Sequence, residues 1–252
     1  MILLPELGVR QLASPLGRAS PLTKLAVGFA WLAALVATTD SRQTLVILGA
    51  AIAGAIGLGR VPVRRFLRAW LPFAAAAAGI VVLNTLLGAA NRDPAARELL
   101  QLGPLRITEP ALVIGAVLGL RILAIAGIGI AFAQTTDATT LADALVQQAR
   151  LPDRFAYGAL AAYQAVPRLS LDLATLVQAR RVRGLGRGWS PRLLLALLVL
   201  ALRHADRMAL AMDARGFAAG GRTRYRIVRW LPLDGAVLAG GLAVLAGIAA
   251  LR

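Results

Sequence analysis

Five stretches of this chain are apolar for long enough to cross a lipid bilayer, and no other feature limits its fold as strongly. A helix needs about 20 mostly apolar residues to span the hydrocarbon core, within a range of roughly 17–25. The first stretch, "LTKLAVGFAWLAALVATT" (22–39), ends at Asp40, and the second, "QTLVILGAAIAGAIGLG" (43–59), ends before Arg60. The third covers about 66–90 and holds Pro72, where a bend is expected. The fourth covers about 110–134, and the fifth is "LPLDGAVLAGGLAVLAGIAAL" (231–251), with Asp234 near its start. The expected fold class is therefore an all-α membrane protein with about five transmembrane helices.

Between the fourth and fifth runs the pattern changes. Residues 150–229 hold fifteen arginines against four acids (Asp153, Asp172, Asp206 and Asp213). Their apolar runs are too short or too charged to span: "RLLLALLVLALR" (192–203) is twelve residues from charge to charge. Such a run suits an amphipathic helix at or under the membrane surface. The chain thus divides into helices one to four (1–137), a basic helical domain on one side of the bilayer (138–230), and a fifth span (231–252).

Charge also sets the orientation. The chain is 58% apolar, with mean hydropathy +0.71 and net charge +16. With 138–230 in the cytoplasm, the inner segments hold Arg10, Arg18 and Lys24, then Arg60, Arg64, Arg65 and Arg68, then the fifteen. The outer loops hold Arg42 beside Asp40, and Arg92, Arg97 and Arg106 balanced by Asp93, Glu98 and Glu109. Every loop obeys the positive-inside rule with a cytoplasmic N-terminus in the plasma membrane. The N-terminus does not read as a signal peptide, since Pro5, Glu6 and Arg10 interrupt it.

Several chemistries are not expected. There is no cysteine, and His204 is the single histidine, so neither a thiolate nor a histidine metal site is expected. Lys24 is the single lysine and no G-x-x-x-x-G-K-[ST] surrounds it, so no nucleotide cofactor is expected and any ATPase is another subunit. Asp143, Asp234 and His204 are too scattered for a catalytic pair, so the chain does not read as an enzyme. An alternative function is a membrane-anchored cationic domain binding anionic lipid or nucleic acid. The basic region lacks the interleaved aromatics that stack bases, so nucleic acid is not an expected partner. Arg121 lies in the middle of the fourth run, where a charge must face protein or water; Asn84 is a polar neighbour by depth. Small residues (74–79, Gly115 with Gly119, Gly127 with Gly129, Gly240 with Gly241) allow close helix packing in lipid or a surface for another membrane subunit.

Two stretches of the basic domain end alike. Residues 168–183, after Pro167, finish in Arg183-Gly184, and residues 192–215, after Ser190-Pro191, finish in Arg215-Gly216. Glycine after a last helical turn is a common cap, and arginine there suits the negative end of the helix dipole. Each arginine follows a short residue, Val182 or Ala214, and an arginine fork on a rigid helix end also suits an acidic groove on a soluble partner.

Over nearly its whole length the chain resembles the transmembrane T component of energy-coupling factor (ECF) transporters, the group that includes cobalt- and nickel-type Q permeases. "SPLTKL" (20–25) resembles the family's Asp-Pro-x-x-Lys-Leu opening, with Ser20 in place of aspartate. "VPVRRFLR" (61–68), "LGPLRITEPAL" (102–112) and "RILAIAGIGIAFAQTTDATTLADAL" (121–145) resemble the family's later stretches. "ARRVRGLGRG" (179–188) and "LRHADRMALAMDARGF" (202–217) resemble its two Ala-Arg-Gly signatures, the first departing from the strict form at Val182. The resemblance implies that 138–230 is a cytoplasmic coupling-helix domain. It implies docking on two cytoplasmic ABC ATPase subunits through Val182, Arg183 and Gly184 and through Ala214, Arg215 and Gly216. Arg181 is an alternative to Arg183 in the first signature; glycine after Arg183 favours Arg183. A small membrane substrate-capture (S) subunit is the implied third partner, and it would select the vitamin or transition-metal ion.

Overall fold

Prolines stand at the starts of several helices in the computed structural model of this protein. It describes residues 11, 13–38, 40–93, 96–102, 105–185, 190–217, 224 and 226–250. These fall into two units, one drawn from residues 7–137 and 229–252 and the other from residues 138–228.

In the first unit a single helical turn, α1 (Pro15–Arg18), is capped by Ser14, whose Oγ accepts from Gly17 N–H at 2.9 Å. Helix α2 (Pro21–Ala37) has proline at its first position, where a missing N–H costs nothing. Helix α3 (Ser41–Ala53) runs on into a π-helical turn, Gly54–Leu58. Helix α4 (Val63–Leu87) continues across Pro72, and a 3₁₀ turn (Ala89–Arg92) follows it. A short antiparallel hairpin of β1 (Glu98–Leu102) and β2 (Leu105–Thr108) then leads into α5 (Glu109–Thr135). In the second unit are α6 (Ala138–Gln147), α7 (Asp153–Val182) and α8 (Pro191–Ala214), and the chain returns to the first unit as α9 (Pro232–Ala250).

Among the described residues, four helical segments are long and apolar enough to cross a membrane: Ser41–Leu58, Val63–Asn91, Glu109–Thr135 and Pro232–Ala250. Helix α2, at 17 residues, stands at the lower limit of spanning length. The protein is an all-α membrane protein, with one small hairpin among the described residues.

Close approach of backbones holds the first unit together. A Cβ on Gly119 of α5 would lie 2.5 Å from Val81 Cγ2 of α4, and one on Gly115 would lie 3.0 Å from the Val81 carbonyl oxygen. Without a hydrophobic drive inside lipid, such contact is what helix association rests on. Helices α2, α3, α5 and α9 share a core of Leu35, Ile47, Leu48, Ala51, Ala124, Ile128 and Ile248. Indoles lock onto carbonyls across it: Trp31 Nε1 donates to Gly241 O at 3.0 Å, and Trp70 Nε1 donates to Leu123 O at 3.2 Å. Outward, Val36, Leu71 and Leu87 are exposed, as side chains that meet acyl chains should be. Asn91 ties the hairpin to α4: its Oδ1 accepts from Thr108 N–H at 3.0 Å and its Nδ2 donates to Thr85 O at 2.8 Å.

Arg121 is only partly buried, and its Nη2 donates to the carbonyl oxygen of Thr38, the residue that ends α2. The last carbonyls of a helix lack intrahelical donors, so a guanidinium there satisfies two needs at once. Asn84, the neighbour expected from depth, instead turns back on its own helix, with Nδ2 donating to Ile80 O at 3.0 Å.

In the second unit α6 packs on α7, and α7 on α8. Tyr157 Oη donates to Asp143 Oδ1 at 2.8 Å, and burial, followed by that bond, pushes the phenol pKa up to about 12. One turn later Gln147 grips the backbone of residues 226–228. Its Nε2 donates to Arg226 O at 2.8 Å and its Oε1 accepts from Val228 N–H at 2.9 Å.

Candidate functional site

Both Arg-Gly endings adopt the same backbone solution. Arg183 ends α7 with φ −80° and ψ 6°, and Gly184 follows with φ 71°. Gly184 N–H donates to Arg181 O at 3.0 Å, and Leu185 N–H to Arg180 O at 3.1 Å. Arg215 ends α8 with φ −90° and ψ 8°, and Gly216 follows with φ 67°. Gly216 N–H donates to Asp213 O at 2.9 Å, and Phe217 N–H to Met212 O at 3.0 Å. Each is a Schellman cap, in which a left-handed residue lets two later amides close the last carbonyls. The positive φ explains each glycine, because a Cβ is disfavoured there. The caps use backbone atoms alone, so they do not explain the arginines.

Arg183 and Arg215 are exposed, as are Val182, Gly184 and Ala214, whereas Gly216 is half-buried. Val182 is 89% exposed, so nothing shields the side next to Arg183. Among the described residues neither guanidinium has a hydrogen bond or ion pair. Arg180 differs, since its Nη2 donates to Leu185 O at 3.3 Å, just past the first cap. Arg181 is exposed but sits three residues before the left-handed glycine, two positions out of step with Arg215.

The helix carrying the first ending is longer than its sequence pattern indicates. Helix α7 begins at Asp153, after Pro152, with Pro167 in its interior, whereas the sequence pattern places the start at 168. Proline removes one backbone donor and crowds the preceding turn, yet alanine and leucine on both sides favour helix strongly enough to carry it through.

The scattered ionisable groups fall in separate places. Asp143 bonds Tyr157, and His204 is half-buried on α8. Asp234 is buried at the start of α9, its Oδ1 accepting from Ser20 N–H at 2.6 Å and its Oδ2 from Leu231 N–H at 2.7 Å. Lys24, also buried, donates from Nζ to Thr135 O at 2.8 Å and lies within electrostatic range of Asp234. These two charges join the ends of α2, α5 and α9, a role that no spacing in the sequence reveals. Among the described residues no group of three or more His, Cys, Asp or Glu is placed to hold a metal ion.

Residues 13–225, a range that includes both endings, match the family described as cobalt transport protein, CbiQ. Similar curated proteins bear the name energy-coupling factor transporter transmembrane protein EcfT. The one from Listeria innocua is 28% identical, over 92% of this chain and 92% of its own. The Bacillus subtilis protein is 27% identical over 92% and 91%, and the Lacticaseibacillus paracasei protein 30% identical over 92% and 91%. The apolar helices and the end-to-end likeness agree: this chain belongs to the CbiQ family, as a transmembrane component of energy-coupling factor transporters.

Proposed function

We propose that the chain is the coupling subunit of an ECF-type ABC importer, transmitting the motion of two cytoplasmic ATPase subunits to a separate substrate-capture membrane subunit. The cargo class is a vitamin or a transition-metal ion, selected by the capture subunit. The observation that carries this reading is the pair of matched helix ends. Each offers an exposed guanidinium on a rigid tip whose own backbone bonds are already closed, so a partner can bind it without opening the helix. A planar fork of five N–H donors suits an acidic groove. Arg183, not Arg181, is favoured as the first docking residue, because it holds the position that Arg215 holds.

In this reading the second unit and the N-terminus face the cytoplasm across the plasma membrane. Val182, Arg183 and Gly184 meet one ATPase, and Ala214, Arg215 and Gly216 meet the other. The exposed leucines of α7 and α8, among them Leu171, Leu195, Leu202 and Leu210, then supply apolar surface for the capture subunit.

The test is co-purification of the ATPase pair with Arg183→Ala, Arg215→Ala, the double variant and Arg215→Lys, alongside uptake in membrane vesicles. A charge-assisted hydrogen bond contributes about 1.5–3 kcal/mol, so each single alanine variant should weaken attachment roughly tenfold to a hundredfold. The double variant should uncouple transport, and lysine should substitute poorly. Full retention of both ATPases by the double alanine variant would reduce the endings to plain helix caps.

A further inference from the structure

Helices α2, α3, α5 and α9 enclose a cavity of about 720 Å³ whose walls include Trp31, Leu32, Ile128, Phe132 and Val244. Phe29 and Leu58, which also line it, are 66% and 53% exposed. Its lining is apolar except at one end, where Lys24 and Thr135 stand. Helix α1 packs on the π-helical turn at that same end, with Leu16 and Leu58 in the lining. Each carries or is followed by an exposed arginine: Arg18 is the last residue of α1, and Arg60 lies two residues after the turn. Arg60 holds a left-handed backbone, φ 49°, uncommon for a residue with a side chain. Neither arginine has a side-chain hydrogen bond or ion pair among the described residues. The carboxylate of Asp234, the buried acid at this end, already has both oxygens occupied by Ser20 and Leu231 N–H.

We propose that this cleft binds an acyl chain of an anionic phospholipid, with the lipid phosphate held by Arg18 and Arg60. The cleft supplies an apolar slot between helices, and the arginines supply cations at the level of its polar end. Basic pockets between transmembrane helices recognise anionic head groups in this manner. A neutral lipid fills the slot equally well but finds nothing for the cations.

Trp31, in the wall, reports occupancy. The full-length protein in mild detergent is titrated with phosphatidylglycerol or phosphatidylcholine carrying brominated acyl chains, and the fluorescence that Trp31→Phe removes is followed. Brominated phosphatidylglycerol should quench Trp31 at lower mole fraction than phosphatidylcholine. Arg18→Gln with Arg60→Gln should erase that preference, by about fivefold per arginine. Gly240→Leu should prevent quenching by either lipid, because Gly240 lines the cleft with nothing within 4 Å of its Cβ position. Equal quenching by the two lipids in the unaltered protein overturns the proposal. No ATPase enters the experiment, so its result is independent of how the Arg-Gly endings function.

Discussion

Removing the Asp234 carboxylate should loosen the bundle where three helix ends meet, by an amount the hydrogen bonds set. Asp234 is 2% exposed, and its two oxygens accept from Ser20 and Leu231 N–H, the former 214 residues away in sequence. In Asp234→Ala both amides lose their acceptor, that of Ser20 in a buried site and that of Leu231 in a part-buried one. An unsatisfied buried donor costs about 1–3 kcal/mol and the wetter amide adds less, so the variant should lose roughly 1–4 kcal/mol. Asp234→Asn keeps one acceptor but turns an NH₂ toward the other amide, and should lose about 1.5–3 kcal/mol as a charge-assisted bond disappears. Lys24 makes the test sharper. Lys24 is 8% exposed and has Asp234 as the opposing charge. Lys24→Met should therefore harm the parent protein, and harm it less once Asp234 is alanine, because the lone ammonium is then itself a burden. The coupling should fall within about 0.5–3 kcal/mol, the range for contacting groups. The assay is a double-mutant cycle on the full chain in detergent, read by denaturant unfolding of tryptophan fluorescence. Additivity of the two changes within about 0.5 kcal/mol would refute the idea that the charges stabilise each other.

Arg121→Ala should lower stability by about 1–3 kcal/mol, since Thr38 O loses its side-chain donor, while ATPase co-purification stays at the parent level. Reduced ATPase retention at unchanged unfolding midpoint would show that Arg121 serves docking instead. For Tyr157 the folded-state pKa of about 12 exceeds the usual 10.0, so its contribution to stability is complete below pH 10.0 and is lost as the pH climbs toward 12. The phenolate absorbance that Tyr157→Phe removes should accordingly appear only near pH 12, and a midpoint near 10.0 would mean that burial and Asp143 do not hold the proton.

Helices whose ends carry their own chemistry were readable in advance. Ser190-Pro191 announces α8, and Gly184 and Gly216 announce the left-handed turns that close α7 and α8. Length and apolarity alone identify α4, α5 and α9. What escaped depends on partners distant in sequence or on competition between neighbours. Pro167 reads as a start because proline usually begins a helix, and only the strength of the flanking helix formers reverses that. The hairpin is brief, although Gly103-Pro104 between "LLQL" and "LRIT" is a turn signal with β-branched residues beside it. Arg121 finds a backbone carbonyl 83 residues away, and carbonyls have no signature in a sequence. At the candidate site the glycines were legible through backbone chemistry. The docking proposed for the arginines rests on the chemistry of the guanidinium fork and on the resemblance, because exposed side chains carry no local constraint.

The grip of Gln147 on residues 226–228 also sets an order in time. The side chain leaves the ribosome long before its partners do, as Arg226 lies 79 residues and Val228 lies 81 residues further along the chain. At synthesis rates of about 5–20 residues per second, α6 waits roughly 4–16 s before the clasp can close. During that interval the amide of Gln147 has only water, and α7 and α8 must emerge and pack without it. The clasp is therefore a late event in the birth of the molecule, and a chain cut short anywhere before Val228 never makes it.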